Sequence, residues 1–224
     1  MSINGKYNLI AIGENTYRMI KDNDFPETLL TRICLCDLNS LAFWDALISS
    51  FHKSNEFVSI SKAITLQKFN IDQTTKSNIP IASGNVIPGQ ENKRWELIDV
   101  SDLQKNRTVD RVINIAENYI EKDVLTILVT EFSEMSQNLI EPLKDLLLKH
   151  GQNVKLVGII PFKFKGVEKY KRAITFKTLF ANCENLICFD ENDCIKGENV
   201  VLSEAWDRSS TVLFELLNNK ILYV

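Results

Sequence analysis

Residues 155–172, KLVGIIPFKFKGVEKYKR, decide how the rest of the chain is read. Leu156-Val157-Gly158-Ile159-Ile160 is a short continuous apolar run, the pattern of a strand buried on both faces of a parallel sheet. Pro161 stops it. Phe162 and Phe164 then alternate with Lys163 and Lys165, which predicts two aromatic anchors on one side of the departing chain and two cations on the other. Gly166 opens a basic helix.

The same strand-and-helix unit recurs in both directions. Tyr7–Ile12 reads as a buried strand ending at Gly13, with Glu14-Asn15-Thr16 starting a short helix. Leu29–Cys36 is a second strand, and Phe43, Trp44, Leu47, Ile48 and Phe51 recur at helical spacing after it. Residues 57–60 or 64–69 supply another strand. Residues 70–94 lose all apolar period and read as a long surface excursion with a short strand at 79–82. Ser101-Asp102 caps a helix whose stripe is Val109, Val112, Ile113, Ala116 and Ile120. A strand at 124–130 follows, then a helix stopped by Gly151, the strand that begins at Val154, a further strand at 186–189 and a last helix over 202–219. Alternation throughout predicts an α/β, three-layer Rossmann-like domain with a mostly parallel sheet.

Composition narrows the function classes. The 224 residues carry 26 basic against 29 acidic side chains, a net charge of −3, which indicates neither a nucleic-acid nor an anionic-membrane surface. No apolar run approaches the roughly 18 residues of a membrane span, and the first residues lack a signal-peptide pattern, so the expected compartment is the cytoplasm. Cys34, Cys36, Cys183, Cys188 and Cys194 form no Cys-x-x-Cys pair, and the only histidines, His52 and His150, fall at helix ends. No metal site or nucleophilic dyad is expected.

Strand, Pro-Phe-x-Phe-x-Gly and basic helix together resemble the FtsZ/tubulin superfamily. Its bacterial member FtsZ carries Val-Val-Thr-Lys-Pro-Phe-x-Phe-Glu-Gly-x-Lys-Arg at the end of the fifth strand of its nucleotide-binding domain. Asp37-Leu38-Asn39-Ser40-Leu41-Ala42 is similar to the Asn-Thr-Asp-Ala-Gln-Ala-Leu stretch after that family's second strand, and Ser203-Glu204-Ala205-Trp206 with Val212-Leu213 resembles its central helix. The resemblance implies one domain over residues 1–224, of the N-terminal GTPase-like type, ending in the central helix without a second domain.

It also implies a nucleotide face that has lost its chemistry. Where the superfamily has Gly-Gly-Gly-Thr-Gly-Thr-Gly, this chain has Glu131-Phe132-Ser133-Glu134-Met135-Ser136-Gln137. Glycines there let backbone N–H groups approach a diphosphate, and each carboxylate in their place repels it by about 1 kcal/mol or more. Gly13, Glu14 and Asn15 stand at the first phosphate turn. Lys165 replaces the Glu of Phe-Glu-Gly, Lys169 its contacting Arg, Trp206 the Phe stacked on guanine, and Ser210 the carboxylate that reads the base. The family's acidic catalytic loop has no counterpart. No catalytic residue, metal or cofactor is expected, and GTP or GDP binding is disfavoured.

Two functions compete. The first is a non-catalytic pseudo-GTPase, not an enzyme, that works through protein contacts on this vestigial face, with FtsZ or another filament or complex as partner and cell division as the setting. The second is a nucleotide-binding relative of altered specificity that holds an anion with Gly13, Ser133, Ser136, Lys163, Lys165 and Lys169. A generic Rossmann-like enzyme comes third, since Gly-x-Gly-x-x-Gly is missing.

Overall fold

The structure is a computed structural model, and it describes residues 6–25, 29–36, 95–99, 113–114, 117–118, 120, 124–133, 140–196 and 200–220. They belong to one compact unit, residues 1–37 with 92–224. The helix expected over 41–51, the strand at 57–60 or 64–69, the short strand at 79–82 and the rest of the excursion over 70–94 lie outside the described residues.

The strands are β1 (Tyr7–Ile12), β2 (Leu29–Cys36), β3 (Glu96–Asp99), β4 (Leu125–Glu131), β5 (Val154–Ile160) and β6 (Leu186–Asp190). The helices are α1 (Glu14–Ile20), α2 (Ile140–His150), α3 (Val167–Leu179) and α4 (Leu202–Glu215), the last continued by a π-helical turn at Leu216–Lys220. All six strands are parallel, in the order β3-β2-β1-β4-β5-β6. The domain is therefore α/β with a Rossmann-like layered sheet. Among the described residues no helix is long and apolar enough to cross a membrane.

Both faces of the sheet are covered, which is why β1, β4 and β5 read as continuous apolar runs. On one face Ile10, Ile33, Leu35, Leu128, Leu156 and Ile160 meet Leu143, Leu146 and Leu147 of α2 and Ala173 and Phe176 of α3. Ile113 and Ile120, from the stripe expected after Ser101, pack against this core. On the other face α1 and α4 pack together. Phe25 and Phe214 meet edge to face there at 5.2 Å, and Trp95 completes the aromatic cluster against Tyr17 and Phe25.

Gly158 sets how close the layers come at the centre of β5. A Cβ added to it would lie 2.0 Å from Cζ of Phe132 and within 2.5 Å of both neighbouring ring atoms, so the glycine is what lets this fully buried ring lie against the strand.

The structure also changes two expectations. Glu96–Asp99 is a strand paired with β2, where the sequence reading has none. The alternation after Pro161 does not continue as extended chain either. Residues 163–165 form one 3-10 turn. Residues three apart eclipse in such a turn, so Lys165 falls under Phe162, its Nζ 5.6 Å from that ring, while Phe164 stays stacked on Phe162, as the two anchors are expected to share a side.

Candidate functional site

In a sheet of this order the chain reverses direction of growth between β1 and β4, and ligands of such folds lie outside the carboxyl ends of the strands near that reversal. The groups that the fold brings to this edge come from the ends of β1, β4, β5 and β6 and from α4.

At the end of β1, Gly13 has φ 95° and ψ 154°, a conformation that disfavours any side chain. Its N–H donates to the Leu35 carbonyl at 2.9 Å and its carbonyl accepts from Tyr17 N–H at 3.1 Å. Glu14 and Asn15 are half-buried in the first turn of α1. Thr16 is buried, and its Oγ1 accepts the Glu131 N–H at 2.9 Å, which ties α1 to the end of β4.

Glu131 is the last residue of β4. Its side chain, expected on the vestigial nucleotide face, is 0% exposed. Ser133, also buried, donates its hydroxyl to Glu131 Oε1, and Lys165 Nζ lies 3.3 Å from Oε2.

Lys165 has a second and closer carboxylate. Glu191, one residue past the end of β6 and again 0% exposed, places Oε1 at 3.0 Å and Oε2 at 2.9 Å from Nζ. Glu191 Oε2 also accepts the Phe162 N–H at 2.8 Å, and Oε1 accepts the Ser209 hydroxyl of α4 at 3.1 Å. Burial pushes the Glu191 carboxyl above its ordinary range; the charge and hydrogen bond of the Lys165 ammonium and the hydrogen bond from Phe162 N–H pull it down, and neighbouring Glu131 pushes it up. Next to it Asn192 Oδ1 accepts the Lys163 N–H at 3.0 Å, so the 163–165 turn is held at both ends by the segment after β6.

One lysine thus bridges two buried carboxylates, and the five side chains Glu131, Ser133, Lys165, Glu191 and Ser209 join the ends of three strands to α4. The cluster satisfies itself. Buried charges are tolerated when they are paired and hydrogen-bonded in this way. Among the described residues no group of His, Cys, Asp and Glu is arranged to hold a metal ion.

Of the residues singled out in the sequence, the structure brings Glu131, Ser133 and Lys165 together. Lys169 and Trp206 are exposed, on α3 and α4, and Ser210 is half-buried on α4. Glu134 and Ser136 lie outside the described residues. Glu191 and Ser209 escape the sequence reading. The available signal was positional: Ile160 pairs with Asp190, so the acidic turn that follows has to open at the same edge as Pro161.

Neither a family model nor a curated protein matches this chain.

Proposed function

We propose that this chain is a non-catalytic FtsZ/tubulin-like protein, a pseudo-GTPase of the cytoplasm, that works through protein contacts at the carboxyl edge of its sheet. One observation carries the reading: the group standing where a phosphate would enter, at the end of β4, is the buried carboxylate of Glu131, and the nearest cation, Lys165, is already bridged to it and to Glu191. A phosphate drawing Lys165 away would leave two buried carboxylates unpaired, and breaking a buried pair costs about 3–5 kcal/mol. The strand order supports a nucleotide-type fold, and the self-paired charges at the ends of β4, β5 and β6 support its use as a surface instead.

Calorimetric titration with GTP and with GDP, each with magnesium, tests this. The expected result is heat of dilution alone up to the millimolar range. Micromolar binding of either would replace the proposal with the nucleotide-binding alternative.

A further inference from the structure

The packing stripe of α4 outruns the sheet. Ala205, Ser209 and Leu213 are the buried positions of this helix, and Ser209 stands level with the end of β6 through its bond to Glu191. Leu202 and Trp206, seven and three residues earlier, fall on the same stripe by helical period. Yet Leu202 is 50% and Trp206 46% exposed. The far end of the helix explains this: Asn218 reaches Tyr7 at the start of β1, so α4 runs from carboxyl edge to amino edge and its first turns stand about 10 Å beyond Ser209.

Across Glu191 from this overhang, the 163–165 turn presents Phe164, stacked on Phe162 at 4.6 Å and 50% exposed, and then Val167 at 61%. A single buried carboxylate therefore anchors two apolar surfaces, one through Lys165 and one through Ser209. With Val201, five of the nine large exposed apolar side chains among the described residues gather at this edge. Concentration on that scale marks a contact surface.

The flanks of the surface differ in sign. The α3 side exposes Lys163, Lys169 and Arg172 besides the Lys171–Glu168 pair, and the α4 side exposes Glu204 and Asp207, with Arg208 joined to Glu204 at 2.7 Å. Residues 163–177 hold six of the 26 basic residues and one of the 29 acidic ones. The carboxylates beside Trp206 would repel an anionic membrane or a nucleic acid. An apolar strip with a basic flank and an acidic flank is instead complementary to itself after a two-fold rotation, each basic flank meeting the other's acidic one.

We propose that the carboxyl edge is the two-fold interface of a homodimer, with the α4 overhang of each copy, through Leu202 and Trp206, packed on the Phe164 and Val167 surface of the other. The α3 flank of each copy then lies against the α4 flank of the other. This deepens the protein-contact reading and rests on it for the identity of the contact surface. A closed two-fold contact gives a dimer and no filament.

Sedimentation equilibrium of the full chain at about 50 µM is the test. The expected mass is twice 25.6 kDa. Trp206→Glu should weaken association about thirtyfold or more, whereas Leu148→Glu, at a residue 69% exposed on α2, should leave the dimer intact. Should Trp206→Glu fail to fold, Lys163→Glu with Lys169→Glu replaces it: association should fall, and added Glu204→Lys with Asp207→Lys should restore it. A monomer at this concentration, or a dimer indifferent to Trp206→Glu or, in its place, to the lysine reversals, overturns the interface. Nucleotide content measured on the same sample separates the two proposals, because a nucleotide-free monomer removes only the dimer.

Discussion

The two edges of the sheet hold their polar groups by different means. At the amino edge neutral groups join by hydrogen bonds: the Tyr7 hydroxyl donates to Asn218 Oδ1 at 3.3 Å, and Asn185 Nδ2 donates to the carbonyls of Leu147 and Gly151, beside the buried guanidinium of Arg32, which lies over the Phe25 ring at 5.0 Å. At the carboxyl edge charged groups pair, with Lys165 between Glu131 and Glu191. A lost neutral hydrogen bond costs little, whereas a lost charge strands its partners. The carboxyl edge is therefore the less forgiving of the two, although in a fold of this class it is the edge where variation of ligand is usual.

The largest effect should come from Lys165→Met, which leaves two carboxylates facing each other without a cation. Chemical denaturation should show a loss of about 3–5 kcal/mol. A loss under 1 kcal/mol would mean that the charges are not mutually dependent.

Gly158→Ala should cost about 1–3 kcal/mol by forcing the Phe132 ring off the centre of β5. The same measurement reads it, and a neutral result would show that the ring has room to move.

Glu191 sharpens the comparison through pH. Its folded-state carboxyl titrates above the ordinary value of 4.5, chiefly because it is buried, so the folded chain holds that proton more tightly than the unfolded chain. Its contribution to stability is fully present below the unfolded value and is lost as pH rises through the raised folded value. Melting temperature followed upward from about pH 4.5 should fall more steeply in the parent protein than in Glu191→Gln, which keeps acceptor and shape but has no proton to lose. Parallel profiles would remove Glu191 as the source.

The smallest effect belongs to the amino edge. Tyr7→Phe gives up one hydrogen bond and should cost about 0.5–1.5 kcal/mol. Burial also pushes the Tyr7 phenol up to about 12, so one tyrosine should resist ionisation in an absorbance titration that converts the exposed ones near 10. Simultaneous titration of all tyrosines while the protein stays folded would contradict the packing.

Much of the fold is legible in the sequence because a parallel sheet buried on both faces leaves uninterrupted apolar runs. β1, β2 and β5 stand where those runs stand, and β4 and β6 differ from them by a residue. β3 is hidden because Glu96 and Asp99 flank only two apolar residues, and pairing with β2 makes the strand, not local pattern.

The site is less legible, for a physical reason. A carboxylate at a strand end reads as solvated, and whether it is buried depends on partners far along the chain. Lys165 comes 34 residues after Glu131, and Ser209 18 after Glu191. The inward turn of Lys165 depends on a single 3-10 turn, which replaces the period of two that the alternating Phe and Lys residues suggest.

The central claim, that the carboxyl edge pairs its charges among the protein's own side chains and takes no nucleotide, is tested most directly on protein purified without added ligand. Heat release followed by anion-exchange chromatography should yield no guanine or adenine nucleotide, and the ratio of absorbance in the nucleotide band to that in the protein band should be that of the tryptophans and tyrosines alone. Recovery of one nucleotide per chain would contradict the account.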